Sequence, residues 1–345
     1  MSSILFILAA FALGIAWTRV AIAVAPRLGF MSAPNPLVPQ HTRAVPYLGG
    51  AAVFVAAAAV AIPARLLDPG DLPWDALAGG AAAFLAMGLW DDRWPLSPIV
   101  KLGWQCGAGL GVALAGLRLP LTGVVEVDVA FAALWIVTVA NAANLVDSCD
   151  ALLGCVAIVG LAAAGLAHPP LLPVVLPAIG ATAGFLVYNR PPARVFLGDA
   201  GSHLLGFMLA GAGLASARGM EAWPALPWMA LVAGVPLFEL VFLVIVRTWK
   251  GLRFWRGSPD HFALRLQKAG LGRSGVGVVA TCAAVLLAAA GAAIVRLPAA
   301  AGMALFGGVL IGLAAAGRVL LRWELPHVTR PEDAPRRARV TGLAG

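Results

Sequence analysis

Apolar runs separated by short polar breaks recur from the first residues to about position 320. Each run is roughly 17–22 residues long, which is the length an α-helix needs to cross about 30 Å of hydrocarbon. The pattern predicts helices over about 4–25, 47–66, 75–90, 99–118, 129–143, 152–167, 171–188, 201–217, 226–247, 276–295 and 299–320. The expected fold class is therefore all-α: a polytopic membrane protein with about 11 (10–11) transmembrane helices. The opening MSSILFILAAFALGIAWTRV carries no Lys or Arg before Arg19, so it reads as a first transmembrane helix instead of a cleaved signal peptide. The pattern contains no repeat and no separate soluble domain. Residues 1–325 form one integral-membrane domain, and 326–345 are a basic, Pro/Arg-rich tail expected to be disordered or to lie on the membrane surface.

Composition strengthens this picture. The 345 residues are 61% hydrophobic and only 12% charged, with a mean hydropathy of +0.90, against about a quarter charged in a soluble domain. The net charge of +8 suggests a nucleic-acid partner only until the loops are assigned to sides. Threading eleven spans puts 20 of the 24 Lys and Arg residues on one side. The positive-inside rule makes that side cytoplasmic, with the N-terminus outside and the C-terminus inside. The basic excess is then a topology signal and a surface facing anionic lipid, and no nucleic acid is expected. The four cysteines form no CxxC pair and read as small core residues.

The acidic residues carry the candidate chemistry. Five of the 16, Asp91, Asp92, Asp147, Asp150 and Asp199, fall at cytoplasmic helix ends, where an ionisable group at membrane depth tends to face a polar cavity. Asp91–Asp92 alone is as well explained by helix termination. Asn144, Asp147 and Asp150 share a helix face by their three-residue spacing. Three carboxylate clusters on one side suit a hard divalent cation, Mg²⁺ with Mn²⁺ as the alternative, and no His/Cys set has zinc spacing. In VFLGDAGSHLLGF, Gly198 and Gly201 flank Asp199 and let the backbone approach a ligand. Ser202 opens an apolar helix whose N-terminus favours an anion. The string taken alone also fits a plain helix cap. Arg43, Arg194, Lys101 and the 247–273 basic cluster can reach phosphate oxygens, although the positive-inside bias also accounts for them.

Several strings in order carry a resemblance. They are VPYLGG (45–50), GLWDDRWPLSPIVKLGWQ, NAANLVDSCDAL, ARVFLGDAGSHLLGF and VPLFELVFLVIVR. Together they resemble the loop motifs of the polyprenyl-phosphate N-acetylhexosamine-1-phosphate transferases, a family that includes the phospho-MurNAc-pentapeptide translocases. The resemblance implies transfer of a sugar-1-phosphate, GlcNAc-1-phosphate or another N-acetylhexosamine-1-phosphate, from a UDP-sugar to polyprenyl (undecaprenyl) phosphate. The products would be UMP and a polyprenyl-diphosphate-sugar for a cell-envelope glycan such as lipopolysaccharide or O-antigen. It also implies a multi-pass protein of the bacterial inner membrane with a cytoplasmic active site, and allows a homodimer. By match to the motifs, Asp91, Asp92, Asp199 and Lys101 are catalytic, and Asp199, Asp92 and Asn144 hold the metal. Asn144, Asp147, Asp150, Phe196, Gly198, Ser202, Arg43, His261 and Arg265 bind substrate, with Phe196 able to stack on uracil.

Three departures stand out. Glu239 replaces the family's usual Asp. Ser148 and Ala151 replace two glycines. The last cytoplasmic loop reads SPDHFALRLQKAGL, keeping His261 but placing Ala263 and Leu264 where the family has histidines, with two residues missing before His261. That loop bears on sugar preference, and its losses speak against the pentapeptide translocase. A degenerate member with weak or no catalysis is one alternative. A transporter is another, disfavoured because transporter sites lie near the midplane.

Overall fold

The computed structural model describes residues 3–33, 43–67, 72–253 and 257–325; the tail at 326–345 lies outside them. The predicted helices are met by α1 (Ser3–Leu28), α2 (Gly49–Leu67), α3 (Trp74–Arg93), α4 (Pro98–Leu114), α5 (Val125–Val146), α6 (Leu152–Ala167), α7 (Leu172–Asn189), α8 (Gly198–Ser216), α9 (Ala222–Val232) with α10 (Gly234–Trp249), α12 (Arg273–Ile294) and α13 (Ala299–Leu320). A short α11 (Phe262–Lys268) interrupts the last long loop. The only sheet among the described residues is a pair of two-residue strands, β1 (Met31–Ser32) antiparallel to β2 (Val45–Pro46).

The ninth run differs from the expectation of one continuous helix over 226–247. It breaks at Ala233, and α9 and α10 meet at a 78° bend. Pro236 supplies the physical reason. It has no N–H for the Val232 carbonyl, and its ring would press on that carbonyl if the helix ran on. In the first turn of a new helix the same proline costs little.

Among the described residues, six helices are long and apolar enough to cross a membrane, or seven with the bent pair as one span. α6, at 16 residues, is apolar but shorter, reaching about 24 Å at 1.5 Å per residue. The surface agrees with lipid contact. α13 buries only Gly302 and Leu320, while Ile99, Leu134, Leu166, Leu286 and Ile311 are exposed on other helices and on α13. In water such a surface would be an aggregation liability; in a bilayer it is the solvent-facing side.

α8 forms the centre. Every residue from Ala200 to Ser216 except Met208 is buried, and α2, α3, α5 and α6 pack around it. Near its start the approach is backbone to backbone. A Cβ on Gly50 would lie 2.3 Å from Gly201 Cα, and one on Gly88 would lie 2.3 Å from Ala200 Cα. Small residues let helices meet this closely. Gly88→Ala should therefore push α3 off α8 and cost about 1–3 kcal/mol, seen as a lower melting temperature in detergent.

The turn between α5 and α6 contains the only non-glycine residue with positive φ among those described, Ala151 at φ 63°. Its N–H donates to Asn189 Oδ1 at 2.9 Å, which holds it there. Ala151 stands at one of the positions that resemble a glycine motif. Ala151→Gly should relieve a left-handed alanine and raise stability by about 1 kcal/mol, with a correspondingly higher melting temperature.

Candidate active site

The ends of α3, α4, α5 and α8 that carry Asp91, Lys101, Asn144 and Asp199 meet at one end of the bundle. They adjoin a cavity of about 1000 Å³ lined by, among others, Asp91, Asp92, Asn144, Asp147, Asp150, Phe196, Gly198, Asp199, Arg43 and His261.

Asp199, in the first turn of α8, is the hub. Its Oδ1 accepts from Asn144 Nδ2 at 3.1 Å, and its Oδ2 pairs with Lys101 Nζ. Lys101 also pairs with Asp91 Oδ2 at 2.5 Å. One ammonium thus bridges two carboxylates contributed by different helices. Asp91 Oδ1 also accepts from Leu96 N at 2.7 Å, which closes the α3–α4 turn. Ser97 then caps α4 by accepting from Val100 N at 3.3 Å.

Asp92 behaves differently from its neighbour. Its Oδ1 accepts from Asp199 N at 2.8 Å and its Oδ2 from Ala200 N at 3.1 Å. It therefore caps the N-terminus of α8, where an anion is favoured by unpaired N–H groups. Gly198 is required here. It adopts φ 73°, and a Cβ on it would lie 2.5 Å from Asp92 Oδ2. Tyr47 adds a lock by donating its hydroxyl to the Asp92 carbonyl at 2.7 Å.

The other expected residues divide into two groups. Asp147, Phe196, Arg43 and His261 line the cavity. Asp150 lines it too, but its Oδ2 is taken by Ala193 N at 3.1 Å and Arg273 at 2.8 Å. Ser202 is fully buried beneath Asp199, accepting from Asn144 Nδ2 at 2.9 Å. Arg265 does not line the cavity. It is buried against Asp260 Oδ1 at 2.8 Å and the Leu320 carbonyl at 3.3 Å, so the structure gives it a scaffolding contact in place of the expected substrate contact. Burial alone would raise the Asp260 carboxyl, but Lys250 and Arg265 outweigh it and hold Asp260 below the ordinary aspartate value.

Several residues enter without having been singled out. Tyr47 lies within VPYLGG, so its motif was visible. Arg273, first read as part of a topology signal, pairs with Asp150. His203, four residues after Asp199 on α8, donates from Nδ1 to the Asp199 carbonyl at 2.8 Å. No sequence signal separated it from the apolar helix around it.

The fit to a divalent cation rests on Asp147. Among the described residues its carboxylate takes no hydrogen bond and no ion pair. Burial, then the Asp199 and Asp150 carboxylates, push it up to about 7. A half-buried anion facing other anions is what a divalent cation relieves. Asp199 and Asn144 line the same cavity. Asp92, expected beside them as a ligand, has both oxygens engaged by backbone.

Residues 74–217 match the model of glycosyl transferase family 4. A Streptomyces coelicolor protein with a provisional glycosyltransferase name is 33% identical, over 89% of this chain and 83% of its own. The decaprenyl-phosphate N-acetylglucosaminephosphotransferase of Mycobacterium tuberculosis is 32% identical, over 72% of this chain and 71% of its own. The phospho-N-acetylmuramoyl-pentapeptide-transferase of Streptococcus pneumoniae is 34% identical over 40% of this chain and 43% of its own. The matched segment 74–217 contains Asp91, Lys101, Asn144 and Asp199 but not Glu239 or His261.

Asp147 generates a test. Its ordinary value is near 4 and its folded value about 7. The folded chain therefore holds a proton that the unfolded chain has released, and rising pH removes stability between about 4 and 7. Without divalent cations, Asp147→Asn should melt above the unaltered chain at pH 8, with the gap closing toward pH 5. Added Mg²⁺ at pH 8 should raise the melting temperature of the unaltered chain more than that of the variant.

Proposed function

We propose that this chain, which belongs to glycosyl transferase family 4, transfers a sugar-1-phosphate from a UDP-N-acetylhexosamine to a polyprenyl phosphate and releases UMP. GlcNAc-1-phosphate is the first candidate. The observation that carries the reading is the meeting of Asp91, Lys101, Asn144 and Asp199 from four helices beside one cavity of about 1000 Å³. The names of the relatives, which act on decaprenyl phosphate or on a phospho-N-acetylmuramoyl-pentapeptide, agree with it. We place the cavity on the cytoplasmic face of a bacterial inner membrane crossed by eleven spans, and the reaction at the first membrane step of a cell-envelope glycan.

Two polyanions must meet, so the protein's task is to position them and neutralise charge. An oxygen of the lipid phosphate attacks the phosphorus attached to the sugar, a new P–O bond forms, and the bond to the UMP oxygen breaks. The lipid phosphate is largely ionised at neutral pH, so proton removal by Asp91 helps the reaction without being essential to it. Lys101 holds Asp91 and Asp199 together against their mutual repulsion. Phe196 offers a flat face to the uracil, and Arg43 offers a cation to the phosphates. Mg²⁺, with Mn²⁺ as the alternative, would be held by Asp199 and Asn144 with Asp147 beside them, and would supply Lewis-acid stabilisation of the diphosphate. The prenyl chain stays in the bilayer against outward apolar side chains such as Leu134, Val241 and Ile245.

Purified protein given UDP-GlcNAc, Mg²⁺ and undecaprenyl phosphate should release UMP. Asp199→Asn should lower that rate by about 100-fold or more. A panel of UDP-sugars that yields no UMP above the variant's background would refute the activity.

A further inference from the structure

Glu239 is a carboxylate with no exposed surface, placed in the second turn of α10. It lies outside the segment that matches the family model, and the reaction described above does not use it. A buried carboxylate survives only when it is paired and hydrogen-bonded. Here Oε1 lies 2.7 Å from His261 Nδ1 and Oε2 accepts from Phe262 N at 3.2 Å. Arg247, two turns along the same helix and also buried, donates from Nε to Ser258 Oγ at 3.0 Å and lies close enough to Glu239 to be felt electrostatically. Glu239 thus fastens both the ring of His261 and the backbone that follows it.

His261 lines the cavity together with Asp199, Phe196, Arg247 and Ser258. The next two positions resembling the family's histidines do not contribute, because Ala263 and Leu264 are buried in the core. With Nδ1 committed to Glu239, the ring has one polar atom left, Nε2. A carboxylate behind a histidine sets which nitrogen carries the proton and which way the ring points. The glutamate is one methylene longer than the aspartate usual in the resembling family. An aspartate would fall short by about one C–C bond, ~1.5 Å, and would not reach a loop two residues shorter.

We propose that Glu239 is a positioning residue for the sugar-phosphate donor, orienting His261 so that its Nε2 meets the donor in the cavity. This rests on the transferase activity proposed above.

The test is a double-mutant cycle read on both substrates. Glu239→Gln should raise the KM for UDP-GlcNAc about tenfold and leave the KM for undecaprenyl phosphate within twofold. In a His261→Asn background, Glu239→Gln should change the donor KM by less than twofold. Glu239→Asp, which keeps the charge and loses the reach, should not restore the donor KM. Additive losses, equal losses on both substrates, or rescue by Glu239→Asp would overturn the proposal. A second readout does not need turnover. In ¹⁵N-histidine-labelled protein, the His261 resonance, identified by its loss in His261→Asn, should shift on adding UDP-GlcNAc with Mg²⁺, and not in Glu239→Gln. No UMP from the unaltered chain sinks the transferase activity. An unresponsive His261 in the unaltered chain sinks the positioning role, whether or not UMP is made.

Discussion

The grip of Asp92 on the first N–H groups of α8 is the contact from which the rest of the site is built. It fixes where the central helix begins, and so where Asp199 stands. Asp92 can reach those groups only because α3 lies against α8 with no side chain between them at Gly88, while α2 does the same at Gly50 and Gly201. The helix dipole and the capping carboxylate reinforce each other in a region of low dielectric. Packing and electrostatics therefore enforce the same arrangement.

That arrangement divides the labour between adjacent aspartates. Asp92 turns inward to backbone; Asp91 turns to Lys101 and the cavity. Lys101 satisfies two carboxylates at once, and Asp150 has its own cation in Arg273. Among the described residues, Asp147 is left without a donor. The negative charge that remains uncompensated lies next to the open space, where a ligand can reach it.

Much of this was legible in the sequence, and the failures have physical causes. Helices stand at every predicted run because hydropathy over about 20 residues reports burial away from water, which a membrane makes decisive. The gathering of Asp91, Asp92, Asp147, Asp150 and Asp199 followed from counting helix ends. The break at Ala233 did not, because an apolar run reads as continuous even when Pro236 removes a hydrogen bond inside it. Arg265 looked like a ligand for phosphate, since a loop cation has no visible partner in a linear string. Its partners, Asp260 and the Leu320 carbonyl, are supplied by folding. The different fates of Asp91 and Asp92 depend on which side of α3 each faces, about 100° apart on a helix, and that is settled by packing.

The loop around His261 is tied on one side to Glu239 in α10 and on the other, through Asp260 and Arg265, to the last turn of α13. These ties lie away from water, where counterions do not penetrate. The bridge from Lys250 to Glu324 is of the other kind, with the Glu324 side chain 70% exposed. Raising the ionic strength would therefore loosen only the outermost of these links, and the loop would keep its shape from low to high salt.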